Sequence, residues 1–451
     1  MKQTFTYRQK AQQFFAVLLP ILITQVSIMS TGFFDTVMAG HLSQIDLAGV
    51  AVGTNLFLPF FGLFLGIISG LTPVLAQLYG AEKTHKIGFI VKQGFYWASA
   101  LAVLFIAAGY LAVPFVIPWM DLEPEVARIA SYYLAAVSFG ILPIFLGGVL
   151  RNFIDSHGKT RLTMAITICT VPINIVLNYI FMYGALGVPS FGGIGAGIGT
   201  AFAFLLNFLL NAAAVTKLEP FRSYRVFCSL PRPDFAEWRK QLGVGVPIGF
   251  TMFCEQSIFG AVGLLMTVYG TTVVAAHQAA MSFSTVVYMM PLSVSMALTI
   301  LIGYEAGAKR FDDAKKYIML SRVLTLLFVG MIAVMLTQFR GEVAALYTNS
   351  AEVKPLLMTF LVYAFAMQLA DSINAPLQGA LRGYKDVHVT FLLAVLSYWV
   401  IGLPAGWLIA NFTELQAYGY WVGLIAGIFV GAVFLQARLW QIQRKYERRE
   451  A

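Results

Sequence analysis

Residues 14–38 read FFAVLLPILITQVSIMSTGFFDTVM, and eleven further apolar runs follow along the chain. A helix needs about 20 predominantly apolar residues to cross a bilayer, and helices satisfy their own backbone hydrogen bonds in lipid. The sequence therefore predicts an all-α polytopic membrane protein with twelve transmembrane helices. The predicted spans are residues 14–38, 50–78, 90–117, 129–150, 161–184, 193–215, 243–268, 276–303, 318–338, 355–380, 389–410 and 417–437.

The composition supports a lipid environment. The 451 residues are 59% hydrophobic and 11% charged, whereas a soluble domain carries about 25% charged residues. A water-exposed surface this apolar would aggregate. The three cysteines, Cys169, Cys228 and Cys254, show neither a disulfide framework nor a metal-binding spacing.

The distribution of Lys and Arg predicts the orientation. An even number of spans puts both termini on one side of the membrane. If that side is the cytoplasm, all but three of the 30 Lys and Arg are cytoplasmic, in agreement with the positive-inside rule. The net charge of +9 is then explained by topology, and we expect no nucleic-acid partner. The three exceptions are Arg128, Arg340 and Lys354.

Two basic segments on the predicted cytoplasmic side are expected to contact membrane lipid. One is the loop 217–241, the longest polar stretch in the sequence, and the other is the C-terminal tail. Clustered basic side chains next to a membrane are attracted to anionic headgroups. The basic residues of the tail are Arg444, Lys445, Arg448 and Arg449.

The two halves of the sequence resemble each other at a constant offset of 227 residues. Each half has an even number of predicted helices, so the repeats are parallel, an arrangement typical of transporters. We predict two pseudo-symmetric six-helix lobes, 1–216 and 243–440, with a cytoplasmic linker at 217–242 and a basic cytoplasmic tail at 441–451. The matching segments are 19–21 with 246–248, 72–83 with 299–310, and 150–154 with 377–381.

Three of the 21 acidic residues fall inside predicted spans: Asp35, Glu255 and Asp371. The only Lys and Arg inside the predicted spans, Lys92, Arg161 and Arg322, lie within five residues of a cytoplasmic span end, so these acids are expected to lack a basic partner at their own depth. A lone charge in the membrane costs at least a few kcal/mol and marks an ion or proton pathway. Glu255 and Asp371 lie near the predicted midplane and could share a cavity. Asp35 lies near the outer end of its helix, and reaching the outer interface is the alternative there.

Polar residues lie at the predicted depth of Asp35. Asn174 and Asn178 share a helix face, and Thr200 lies at a similar depth on the next helix. Together with the carboxylate they form an oxygen-rich cluster that would suit Na⁺ or a proton relay. Hydrogen bonding between helices without transport is an equally good interpretation of the spacing.

Motifs for other functions are missing from the sequence. HExxH, GxSxG and the Walker-type GxxxxGK[ST] do not occur. An ATP-driven pump in one chain and an enzyme are therefore disfavoured, and we expect no cofactor. A membrane-embedded enzyme is kept as the alternative from another class, and a channel is less favoured because no filter-like loop is evident.

The pattern of polar residues resembles the multidrug and toxic compound extrusion (MATE) family, in its NorM-like branch. The resemblance covers essentially the whole chain. It depends on Asp35 within 32–40 (GFFDTVMAG), on Pro172-Ile173-Asn174 with Asn178, and on Glu255 and Asp371. The six-plus-six arrangement of helices agrees with it.

The resemblance implies a secondary antiporter that exports cationic, often aromatic drugs in exchange for inward Na⁺ or H⁺. It implies an N-lobe cation or proton site at Asp35, Asn174, Asn178 and Thr200. A C-lobe site for cation, proton or substrate is implied at Glu255 and Asp371, with Na⁺ as one candidate ion at either site.

The same resemblance implies a location in the bacterial inner membrane, and we expect a monomer. The alternative within the wider superfamily is a flippase for lipid-linked precursors. Such a flippase is expected to carry basic residues in its cavity, and the predicted spans contain none away from their cytoplasmic ends.

Overall fold

The structure is a computed structural model that describes residues 1–228 and 231–448. These residues form fifteen α-helices and no strand. The N-terminal half contains α1 (Tyr7–Leu42), α2 (Gln44–Ser69), α3 (Leu71–Gly80), α4 (Thr84–Trp119), α5 (Pro124–Ser138), α6 (Ile141–Ser156), α7 (Thr160–Tyr183) and α8 (Gly193–Lys217). The C-terminal half contains α9 (Phe235–Met266), α10 (Thr271–Gly307), α11 (Phe311–Tyr347), α12 (Val353–Gly383), α13 (Val387–Val395), α14 (Leu403–Phe412) and α15 (Ala417–Glu447).

The helices confirm the predicted fold class and number of spans. Within the described residues, eleven helical stretches are long and apolar enough to cross a membrane, and the pair α5 and α6, bent by 47°, makes a twelfth when counted as one span. The α2–α3 and α13–α14 stretches each count as one span.

The 227-residue repeat reappears in the helix boundaries. The end of α3 at Gly80 matches the end of α10 at Gly307, and the end of α6 at Ser156 matches the end of α12 at Gly383. The starts of α7 and α13 differ by the same number. The helices of the two halves are therefore related by the predicted offset of 227 residues.

The chain divides into two compact units by its internal contacts. The N-terminal unit is Leu19–Gly249, and the C-terminal unit is Met1–Leu18 together with Phe250–Ala451. This division passes through α1 and α9, whereas the sequence analysis placed it in the linker 217–242. The N-terminal unit holds the start of α9 through side-chain hydrogen bonds such as Trp97 Nε1 to Gln241 Oε1, at 2.8 Å.

The C-terminal unit holds the start of α1 through a buried lysine. The side chain of Lys10 is fully buried, and its Nζ lies 2.9 Å from Asp313 Oδ1. The same ammonium donates to the carbonyl and hydroxyl oxygens of Thr4, at 2.8 and 2.9 Å. A buried cation is tolerated because its donors are satisfied in this way.

The two basic segments take partly helical structure. The linker forms a short 3₁₀ helix at Phe221–Tyr224 before α9 begins at Phe235. The tail continues α15 as far as Glu447, and the guanidinium of Arg444 lies 3.4 Å from the ring centre of Trp440. Residues 229–230 of the loop and Arg449 of the tail lie outside the described residues.

Candidate cation sites

The N-terminal unit brings Asp35, Asn174 and Asn178 together. Asp35 lies on α1 and the two asparagines lie one turn apart on α7. Asn178 Nδ2 donates to Asp35 Oδ1 at 2.5 Å and to Asn174 Oδ1 at 3.3 Å. Both asparagines are buried, so the carboxylate is held by an amide that has little access to water.

Two oxygens of the predicted N-lobe site have no hydrogen-bond partner among the described residues. Within the part of the chain that the structure describes, Asn178 Oδ1 and Thr200 Oγ1 are buried without a hydrogen-bond partner. A side chain on Gly199, which precedes Thr200 on α8, would collide with Asn178 Oδ1, so glycine allows α8 to approach α7 there. Unpaired buried oxygens are unfavourable, and a bound cation would satisfy them.

Sequence analysis missed two further groups near Asp35. Tyr133 of α5 interacts electrostatically with the carboxylate, and Thr54 of α2 lies 3.2 Å from the Tyr133 hydroxyl. Tyr133 could not be recognised as a functional residue from the sequence, because tyrosines are common near the ends of membrane helices.

The C-terminal unit places four buried polar residues along one face of α12. They occur at spacings of three, four and four residues, which is the spacing of one helix face. Glu255 of α9 faces this row, because it accepts a hydrogen bond from a member of it. The four residues are Asp371, Asn374, Gln378 and Arg382.

Hydrogen bonds connect this row to Glu255. Gln378 Nε2 donates to Glu255 Oε1 at 2.6 Å and to Asn374 Oδ1 at 3.0 Å. Arg382 Nη2 donates to Gln378 Oε1 at 3.1 Å, and Asn374 Nδ2 donates to the carbonyl of Ile428 at 3.3 Å. The row therefore forms one polar chain from the end of α12 to the acid on α9.

Glu255 is also close to other ionisable side chains. The Tyr398 hydroxyl hydrogen-bonds to it, and Asp371 lies within electrostatic range. Tyr288 of α10 interacts with both acids. Two carboxylates in one buried cluster repel each other unless a proton or a cation is present, so the cluster has the chemistry of a cation or proton site.

The expectation that Glu255 lacks a basic partner is wrong. The predicted tenth span ended at residue 380, but α12 continues to Gly383 and includes Arg382, whose exposed fraction is 7%. Arg382 acts electrostatically on Glu255. The row of polar residues on one face of α12 was visible in the sequence and could have revealed Asn374, Gln378 and Arg382.

Comparisons with known proteins agree on one family. The MatE family model matches residues 20–180 and 247–408. The chain is 47% identical over 446 residues to a probable multidrug resistance protein NorM of Oceanobacillus iheyensis, covering 99% of this chain and 100% of that protein. It is 45% identical over 450 residues to a protein of the same name in Bacillus subtilis, with 100% of each chain covered.

Solved structures share the fold. A eukaryotic MATE transporter superposes with a TM-score of 0.87 at 18% identity, covering 98% of this chain and 99% of that chain. An outward-facing multidrug resistance MATE family transporter gives a TM-score of 0.85 at 18% identity, covering 98% and 100%. With the family match spanning both halves and relatives identical at nearly half of all positions, the chain belongs to the MATE family, in its NorM-like branch.

Proposed function

We propose that this protein is a secondary active multidrug antiporter that exports cationic and aromatic small molecules in exchange for inward Na⁺ or H⁺. The names of its relatives support multidrug export. The observation that carries the ion coupling is the presence of a buried acid cluster in membrane-spanning helices: Asp371 interacts electrostatically with Glu255, and Gln378 links Glu255 to a single arginine. Two acids balanced by one fixed cation leave room for one mobile positive charge.

The N-terminal unit would hold a second site. Asp35 supplies the negative charge, and the unpartnered oxygens Asn178 Oδ1 and Thr200 Oγ1 supply neutral ligands. Oxygen donors of this kind suit hard cations, and a proton on Asp35 would neutralise the same carboxylate. In either case, a drug and an ion that favour opposite states of the transporter must weaken each other's binding by the same factor.

The orientation and setting are part of the proposal. The bias of Lys and Arg supports cytoplasmic termini in a bacterial inner membrane. The basic residues of the linker and of α15 support contacts with anionic lipid. We propose a monomer, because each candidate site is built from residues of one compact unit of the same chain.

One observation favours the alternative function, a flippase for lipid-linked precursors. Arg382 is a buried basic group of the kind that could bind a pyrophosphate. Its guanidinium is bonded to Gln378, and two carboxylates nearby would repel an anion. The surroundings of Arg382 therefore favour a cationic substrate.

Proteoliposomes test the antiporter. Drug efflux is measured with a Na⁺ gradient and with a pH gradient, imposed separately, and one of the two should drive efflux. Asp371→Asn should abolish ion-driven exchange while the folded protein persists in the membrane. The matched control is Asp312→Asn, the same change at an exposed carboxylate on α11, which should exchange normally. Full exchange by the Asp371 variant would refute the coupling role of this acid.

A further inference from the structure

The chain of hydrogen bonds that ends at Glu255 has a fixed direction. A guanidinium is permanently protonated in proteins and can only donate hydrogen bonds. The oxygen of the Gln378 amide must therefore face Arg382, and its NH₂ group must face Glu255 and Asn374. A flipped amide would place NH₂ against the guanidinium and an oxygen against the carboxylate. Arg382 thus sets the orientation of the amide that holds Glu255.

The helix geometry directs Arg382 inwards. Side chains on an α-helix point towards its N-terminus, so an arginine in the last turn of α12 reaches back to the residue one turn earlier. The guanidinium is buried at 7% exposure, and a buried cation is stable only when a negative charge compensates it. Glu255 supplies that compensation at the other side of the amide.

The N-terminal unit has a corresponding pair of polar side chains near the end of α6, but here the residue nearest the helix end is acidic instead of basic. At the 227-residue offset, Arg151 takes the place of Gln378, and Asp155 takes the place of Arg382. Arg151 lies 3.6 Å from Asp155 Oδ2 and donates to Gln25 of α1 at 3.5 Å. The acid here is at the end of the helix, and α1 presents a neutral amide. The positive charge of Arg151 is therefore balanced by Asp155 on the same helix. Asp35 receives its hydrogen bond from Asn178 instead.

We propose that Arg382 is a positioning residue for ion exchange: through Gln378 it holds Glu255 and acts as a built-in counter-charge that competes with the transported cation. The inference rests on the antiporter function proposed above. A mobile ion that binds Glu255 must share the carboxylate with the Gln378 amide and enter against the field of the guanidinium. The site then binds the ion weakly enough to release it. The ionisable groups that face Glu255 are Asp371 and Arg382 on α12, Tyr288 on α10, and Tyr398 on the π-helical segment Leu396–Gly402.

The test measures how exchange depends on ion concentration. In proteoliposomes, Arg382→Gln should lower the half-saturating concentration of the driving ion by at least about threefold, because a nearby positive charge has gone. The maximal rate should fall, because release becomes slower. Arg382→Lys keeps the charge and should return the half-saturating concentration most of the way to the wild-type value. The matched control is Arg151→Gln, which should leave that concentration unchanged.

A second variant covers the case in which Arg382→Gln fails to fold. Gln378→Glu gives Arg382 a carboxylate partner of similar size and removes the amide donor from Glu255. It should lower the half-saturating concentration in the same direction. An unchanged value in whichever of the two variants folds would overturn the proposal, even if the maximal rate falls, because a purely structural role predicts that pattern. Wild-type protein without ion-driven exchange would instead refute the antiporter function, and the inference with it.

Discussion

The second and fourth membrane spans differ between the two halves of the repeat. In the N-terminal half the second span breaks at Gly70, between α2 and α3, and the fourth bends at Gly140, between α5 and α6. In the C-terminal half the equivalent positions are Ala297 and Met367, inside the continuous helices α10 and α12. The second and fourth spans are therefore segmented in the N-terminal half and continuous in the C-terminal half.

The glycines at the breaks make close contacts that a side chain would block. A Cβ at Gly140 would lie 2.8 Å from the Cα of Ala201, and one at Gly70 would collide with the backbone of Gly245. Kinks in helices commonly occur at glycine. In these two spans each break coincides with a glycine at a close helix contact, whereas the equivalent positions Ala297 and Met367 lie inside continuous helices.

The contact between the second and fourth spans also differs. In the N-terminal half a side chain bridges them: Asn152 Nδ2 donates to the Ile68 carbonyl at 3.0 Å and Asn152 Oδ1 accepts from Thr72 at 3.1 Å. In the C-terminal half the equivalent residue is Gly379, whose backbone packs directly on Ser295. The N-terminal contact is spaced by an amide, whereas in the C-terminal contact the backbones touch and Thr299 Oγ1 donates to the Gly379 carbonyl at 3.1 Å.

The largest expected effect comes from exchanging these contacts. Gly379→Asn should prevent the C-terminal unit from folding, because even a Cβ would collide with the backbone of Ser295. The reciprocal change, Asn152→Gly, adds no bulk and should cost about 1–3 kcal/mol for the lost hydrogen bonds. Yield of folded protein in the membrane and thermal unfolding in detergent measure both. Equal tolerance of the two variants would show that the contacts are equivalent after all.

Asp35→Asn should lower ion-driven exchange at least about tenfold, because the proposed N-terminal site takes its negative charge from this acid. The new amide carbonyl can still accept from Asn178 Nδ2, so folding should persist. Exchange in proteoliposomes and unfolding in detergent are measured in parallel. Normal exchange would mean that ion coupling depends on the C-terminal cluster alone, and that the two lobes differ in function.

His157 gives the N-terminal half a sensitivity to acid. Burial lowers the pKa of His157 to about 4, and its ring bonds to the Phe153 carbonyl and the Tyr224 hydroxyl, each at 2.9 Å. The unfolded imidazole titrates near 6.5, so the unfolded state binds more protons below that pH. The free energy of unfolding should fall by up to about 1.4 kcal/mol per pH unit between pH 6.5 and 4.

The control for this acid sensitivity is His157→Gln, which keeps a hydrogen-bonding side chain but cannot titrate. Unfolding in detergent, followed against pH, should show a shallower loss of stability in the variant. The equivalent position in the C-terminal half is a tyrosine, Tyr384. Identical pH dependence in variant and wild type would assign the acid sensitivity to other groups.

The smallest expected effect is on stability in Thr200→Val. Because the described structure gives Thr200 Oγ1 no partner, its removal should leave the free energy of unfolding unchanged or raise it by up to about 1 kcal/mol. A ligand of a bound ion would behave differently in transport, and the half-saturating ion concentration should rise. A clear loss of stability would mean that the hydroxyl makes a structural hydrogen bond instead.

The fold could be predicted from the sequence because every membrane span has to be a helix of about 20 apolar residues. Length and hydropathy located all twelve, and the acids Asp35, Glu255 and Asp371 stood out against an apolar background. The ends of helices were less predictable: Arg382 was missed because a charged residue near the end of an apolar run looks like a loop residue. The hydrogen bonds to Gln378 and Asn374 depend on which helices pack together, and spacing along one helix does not contain that information.

Lys10 belongs to the C-terminal unit, although it precedes the whole N-terminal unit in the order of synthesis. Its partner Asp313 emerges about 300 residues later, which at roughly 5–20 residues per second takes about 15–60 s. During that interval the ammonium cannot reach its final partner. The Lys10 segment can therefore complete its packing only after the second half has been inserted, so maturation of this protein cannot proceed strictly in order of synthesis.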